Sequence, residues 1–162
     1  MTTPAPSVDP DTFRRLLGSF ASGVTVLTTV DAAGAPAGMT ASAVASVSLD
    51  PPLLLACVAK DAEFHRAMAA AGTFVVHVLG ADQARLSERF AAKGSDKFAG
   101  VDYALDRRGL PILREALATI VCEHQSAVDA GDHTIFIGRV TGGDATAGRP
   151  LLHFRGTYHS LP

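Results

Sequence analysis

From Val24 to Tyr158 the chain alternates short β-branched or apolar runs with glycine, proline and aspartate breaks, and this spacing narrows the fold more than any other feature. The runs are of strand length, and most of the breaks are too short to hold the helical crossovers that parallel strands need, so antiparallel pairing is expected. Val24 to Val30 reads as a strand that enters a hairpin loop at Asp31-Ala32-Ala33-Gly34. A second strand follows around Ala37 to Ser42. In the third, Ala43 to Leu49, the residues Ala43, Ala45, Val47 and Leu49 alternate with Val44, Ser46 and Ser48, which predicts one hydroxyl-bearing face. Asp50-Pro51-Pro52 breaks the ladder because proline cannot donate to it, and Leu53 to Ala59 resumes as a buried strand. Thr73 to Leu79 is a fifth strand. Ala118 to Val128 and Thr134 to Thr141 are joined across Asp129-Ala130-Gly131-Asp132, and a last strand covers Leu151 to Tyr158.

Three helices are expected around these strands. Asp9-Pro10 is an N-cap followed by proline at the first helical position, with Phe13, Leu16, Leu17 and Phe20 at amphipathic spacing behind it. Asp61 is placed to cap a helix through Ala71 that Gly72 ends, and Asp82 to cap another running to about Ala92. Lys93 to Phe98 and Gly109-Leu110-Pro111 read as loops. The expected class is mostly β: an antiparallel barrel with a few peripheral α-helices. At 162 residues the chain is one domain, spanning residues 9–162 behind a flexible N-terminus of residues 1–8.

Composition removes several functions. A formal net charge of -2 without a basic block argues against nucleic acid as a partner. The Leu53 to Ala59 run is far shorter than a membrane-spanning helix, and the N-terminal stretch lacks a basic n-region and an apolar h-region, so a cytoplasmic protein is expected. Cys57 and Cys122 are too far apart for a zinc motif and read as reduced thiols, Cys122 as a buried one. No histidine stands at HExxH spacing, and no metal site is expected. The GxGxxG, GxxxxGK[ST] and GxSxG patterns are absent, which removes the sequence basis for Rossmann, P-loop and hydrolase chemistry.

One run carries a positive signal. Gly38-Met39-Thr40-Ala41-Ser42-Ala43-Val44-Ala45-Ser46-Val47-Ser48-Leu49-Asp50-Pro51-Pro52 is made of small and hydroxyl residues and crosses from one strand into the next. Small side chains let a planar heterocycle approach the backbone, and the hydroxyls and N–H groups meet its polar edge. A hairpin of small residues that merely packs two strands together is the other reading of the same run, and spacing does not decide between them.

The run does not stand alone. Together with Ser22 to Thr29, Gly131-Asp132-His133-Thr134-Ile135-Phe136-Ile137-Gly138-Arg139-Val140 and Leu151 to Tyr158, it resembles the flavin reductase-like, FMN-binding split-barrel family, over nearly all of the chain from about Phe13 to Tyr158. The likeness is greatest to the short NAD(P)H:flavin reductases that supply reduced flavin to a separate monooxygenase. It implies a split barrel of Greek-key type and FMN or FAD as cofactor, with NADH or NADPH as reductant.

It also implies roles. Met39, Thr40, Ala41, Ser42 and Ala43 would hold the ribityl chain and ring edge, and Ser46, Val47 and Ser48 would face the pyrimidine side, with Gly38 and Cys57 among the cofactor-binding residues. N–H donors aimed at the pyrimidine side stabilise the negative charge that develops there on hydride transfer. Lys60, Arg89 and Phe90 would take the phosphate and an aromatic ring, with Lys97 a weaker candidate. His133, at the start of a strand after a Gly-Asp turn, would position the nicotinamide, and His153 and Tyr158 would complete that side. His65 and His77 read as structural.

The resemblance further implies a homodimer, with a partner's 93–98 loop near the cofactor, and a monooxygenase partner. Several relatives carry asparagine where this chain has Ser42, so the choice of flavin stays open, as does NADH against NADPH. Two other functions suit the same fold: a flavin-binding or storage protein without nicotinamide turnover, and an oxidase whose bound flavin meets a small substrate directly.

Overall fold

The computed structural model describes residues 7–94 and 96–162. Residues 1–6 of the expected flexible N-terminus, and Ser95 of the 93–98 loop, lie outside the described residues. In chain order the elements are α1 (Pro10–Leu17), β1 (Ser22–Gly23), β2 (Thr25–Val30), β3 (Pro36–Ala41), β4 (Val44–Leu49), β5 (Pro52–Ala59), α2 (Glu63–Ala70) and β6 (Thr73–Val78), then α3 (Ala84–Ala91), β7 (Tyr103–Leu105), β8 (Pro111–Leu113), β9 (Ala118–Ala130), β10 (His133–Ala145), β11 (Leu151–Phe154) and β12 (Thr157–Ser160). The fold is mostly β with peripheral helices, as expected, and every strand pairing in the main sheet is antiparallel.

That sheet has seven strands in the order β3-β2-β6-β9-β10-β5-β4. Its two edge strands, β3 and β4, are consecutive in the sequence and joined only by Ser42 and Ala43. Laid flat, seven strands would separate the edges by about 29 Å, whereas so short a link reaches about 11 Å. The sheet therefore curls until its edges approach. They do not pair, and the barrel is left split along the β3–β4 crossing. A smaller sheet, β1-β11-β12, flanks it, and β7 and β8 form a separate hairpin.

Two apolar clusters fill the structure. Leu27, Ala56, Phe74 and Phe136 meet Phe64 and Met68 of α2, while Val24, Leu79, Leu113 and Leu151 surround Phe90 of α3. Each helix thus covers one part of the rolled sheet through a few fully buried side chains. In contrast, Phe13, Leu16, Leu17 and Phe20, on and just after α1, remain exposed. No helix among the described residues is long and apolar enough to cross a membrane.

Several local expectations are corrected. Asp9 caps α1, accepting from the Asp11 and Thr12 N–H groups at 3.0 and 2.9 Å, but neither Asp61 nor Asp82 caps its helix. A turn closed by Ala62 N–H on the Ala59 carbonyl moves the N-cap position of α2 to Ala62, and a Gly80–Gln83 turn moves that of α3 to Gln83. The hydroxyl alternation of β4 is interrupted by a bulge between Ser46 and Ser48. Residues 151–158 form no single strand: Arg155 and Gly156, both at positive φ, fold them into the β11–β12 hairpin. The 109–111 loop belongs to the β7–β8 hairpin, which the sequence reading did not resolve. Finally, the β9–β10 turn is tighter than expected, because Ala130 and His133 pair and only Gly131 and Asp132 remain, with Gly131 at φ 65°.

Candidate active site

The split places β4 between two adjoining grooves. One, of about 710 Å³, opens at the barrel mouth and is lined by Ser42, Ser46, Ser48, Thr25, Ile120 and Val140. The other, of about 680 Å³, lies towards α1 and brings together Ser42, Ala43, Ala45, Leu55, Cys57 and His153. Both volumes fall in the range of ligand pockets, about 300–1,000 Å³. As an edge strand, β4 also leaves one row of backbone N–H and C=O groups without a strand partner. Small side chains, hydroxyls and an open backbone edge are what a planar, polar-edged ring requires, so the residues present fit a flavin.

The outer face of β5 forms the floor of the α1-side groove. Leu55, Cys57 and Ala59 share that face, and their partners across the ladder are Ile137, Ile135 and His133. His133 therefore projects on the same side of the sheet as Cys57. Its Nδ1 is 2.7 Å from Asp132 Oδ1. This hydrogen bond and the nearby imidazole charge hold the Asp132 carboxyl below its ordinary value. Partial burial pushes the Cys57 thiol up, so it is neutral at neutral pH. The His153 and Tyr158 rings meet edge-on at 6.0 Å, and the Tyr158 hydroxyl is hydrogen-bonded to Ser87 Oγ at 2.8 Å.

Other residues of the run look elsewhere. The Thr40 hydroxyl donates to the Ser87 carbonyl of α3 at 2.6 Å. Ala41 is buried in the core, and Val47 is exposed. Gly38 lies under Phe90: a Cβ there would stand 2.7 Å from Phe90 Cε1. The flat ring that closely approaches this glycine is the protein's own. Phe90 is fully buried and meets Phe98 edge-on at 5.0 Å. Met39 and Thr40 line a third cavity, of about 410 Å³, between α2 and α3, together with Lys93 and Lys97. Lys97 Nζ donates to the Phe90 carbonyl at 3.0 Å, and partial burial lowers its pKa against the opposing charge of Glu63.

Arg89 and Lys60 are committed to protein carbonyls. Arg89 Nε donates to the Lys97 carbonyl at 2.8 Å and Nη2 to that of Ala99. Lys60 Nζ donates to the Gly131 carbonyl at 2.7 Å and pairs with Asp129. Among the remaining histidines, His65 Nε2 is 2.8 Å from Thr134 Oγ1, and His77 is buried with both ring nitrogens bonded to backbone. Burial pushes the Cys122 thiol up to about 12. Sequence reasoning gave no individual role to Ala45, which belongs to the small-residue run and lines both grooves, and placed Lys93 only within a partner's 93–98 loop; which cavity each residue faces is set by the topology.

The model of the flavin reductase like domain family matches residues 17–162. A probable flavin reductase of Rhizobium meliloti (strain 1021) is 46% identical over 150 residues, covering 93% of this chain and 48% of that protein. The flavin-dependent monooxygenase reductase subunit HsaB of Rhodococcus jostii (strain RHA1) is 41% identical, covering 97% of this chain and 80% of the relative. Among solved structures, the NADH:FAD oxidoreductase SgcE6 of Streptomyces globisporus, in complex with NAD and FAD fragments, superposes with a TM-score of 0.89 at 39% identity, covering 98% of each chain. The chain thus spans about half of the first of these relatives and most of the others.

Proposed function

The chain belongs to the flavin reductase like domain family, and from that premise we propose that it is an NAD(P)H:flavin oxidoreductase that delivers reduced flavin to a separate monooxygenase in the cytosol. The observation that carries the reading is the meeting of Ser42, Ala43, Ala45, Cys57 and His153 in one groove, on the sheet face to which His133 also projects. The relatives named as a flavin reductase, a monooxygenase reductase subunit and an NADH:FAD oxidoreductase support it.

When bound, the flavin supplies the hydride-accepting chemistry. The chain's own residues supply position. Small side chains at Ala43 and Ala45 admit the ring against β4, and the unpaired β4 edge and the Ser42 hydroxyl meet its polar rim. Ser46 and Ser48 extend that polar contact on the mouth side. Lys93, facing the cavity beside Met39, supplies positive charge for the phosphate end, with Lys97 held beside it on the Phe90 carbonyl. His133, its tautomer fixed by Asp132, holds the nicotinamide on the open side, and the His153 and Tyr158 rings flank it. Water exclusion requires a cover, because both grooves are open and Phe13, Leu17 and Phe20 stand exposed beside them. A second copy packing on this apolar face supplies it, making the working unit a homodimer.

Anaerobic mixing of flavin-loaded protein with NADH tests the proposal. Bleaching of the flavin's visible absorbance is expected; retention of colour with flavin fully bound would reassign the chain to flavin carriage.

A further inference from the structure

The tip of the β9–β10 hairpin, which leads into His133, is held from outside by one residue at three points. The Lys60 backbone N–H donates to the Asp132 carbonyl at 2.9 Å. Its ammonium donates to the Gly131 carbonyl at 2.7 Å and pairs with the Asp129 carboxylate. Gly131 and Asp132 are the only residues between the paired Ala130 and His133, so Lys60 engages both residues of the turn and the strand end before it. Asp132 then carries the restraint on, because its carboxylate accepts from His133 Nδ1 at 2.7 Å and leaves Nε2 to meet a ligand.

From these contacts we infer that Lys60 is a positioning residue for the nicotinamide nucleotide: with Asp129 it fixes the hairpin tip, and through Asp132 it fixes the imidazole of His133. The inference rests on the reading of His133 as the nicotinamide contact. It gives Lys60 a different task from the flavin phosphate contact that family likeness implies, since its ammonium is already shared between a carbonyl and a carboxylate. The Lys60 and Asp129 side chains are 40% and 81% exposed, and ion pairs so open to water add little to stability. Loss of the pair is therefore felt in the placement of the tip and not in folding. His65, bonded to Thr134 Oγ1 from α2, braces the second residue of β10 and does not reach the turn itself.

Steady-state kinetics with NADH and fluorescence titration with FMN and riboflavin separate the possibilities. Asp129→Asn and Lys60→Met are expected to raise KM for NADH by about fivefold with kcat nearly unchanged, while the Kd for FMN stays within about twofold. Lys60→Arg should restore most of the loss, and Lys60→Met added to His133→Ala should cost nothing further. A loss of FMN affinity in Lys60→Met with riboflavin affinity intact and Asp129→Asn silent would overturn the inference and make Lys60 a phosphate ligand. If His133→Ala raises KM but neither Asp129→Asn nor Lys60→Met does, the inference fails while the role of His133 stands. An unchanged KM in His133→Ala would sink both.

Discussion

The Phe90 ring fills the space beside Gly38, its Cε1 2.7 Å from where a Cβ on that residue would stand. Because Phe90 is fully buried and packed against Phe98, it has nowhere to retreat. Gly38→Ala should therefore push α3 off β3 and cost about 1–3 kcal/mol, read as a lower urea midpoint at constant slope. An unchanged midpoint would mean that α3 shifts freely and that the glycine is there for another reason.

Thr40 anchors the same helix. Its hydroxyl donates to the Ser87 carbonyl at 2.6 Å, and Ser87 Oγ is bonded to the Tyr158 hydroxyl, so β3, α3 and β12 are joined by one chain of hydrogen bonds. Thr40→Val removes the first link, at a cost of about 1 kcal/mol in stability. Flavin affinity should stay within about twofold, because the hydroxyl faces the helix. A large loss of affinity at unchanged stability would return Thr40 to direct cofactor contact.

His77 makes the fold acid-sensitive. Leu113 N–H donates to its Nε2 at 3.1 Å, so the ring proton sits on Nδ1, 3.2 Å from the Val26 carbonyl, and the neutral imidazole ties the β7–β8 hairpin to the barrel. Burial lowers its pKa from 6.5 to about 4, against the raising effect of the Val26 hydrogen bond. The unfolded chain therefore takes up the proton first as pH falls. Stability is unaffected by this group above pH 6.5, declines between 6.5 and about 4, and levels off below. The decline amounts to about 3 kcal/mol. Urea unfolding across this range, repeated on His77→Gln, should show that the variant has lost most of the slope. Equal slopes in the two proteins would assign the pH dependence to other groups.

Where sequence and structure agree, the signal was local. Asp9-Pro10 fixes the start of α1, and Gly131-Asp132 marks the β9–β10 turn, because cap and turn chemistry act over a few residues. The two missed caps have a local cause as well: the Ala62 and Gln83 N–H groups close turns just before each helix, which carries Asp61 and Asp82 past the capping position. Gly156 inside an apparent strand was a legible turn signal, and reading through it merged β11 with β12. For the site, the small-residue run spans the crossing from β3 to β4, but the destination of each side chain is set at long range. Thr40 meets Ser87, 47 residues away, and Lys60 meets Gly131, 71 residues away. No spacing rule reaches that far.

The central claim is that flavin lies along β4, and Ala45 tests it most directly because that exposed side chain lines both grooves. Fluorescence titration of FMN into the native protein should saturate, and Ala45→Phe, which fills the groove without touching the core, should weaken binding by about tenfold or more. Equal affinity in the two proteins would place the flavin elsewhere.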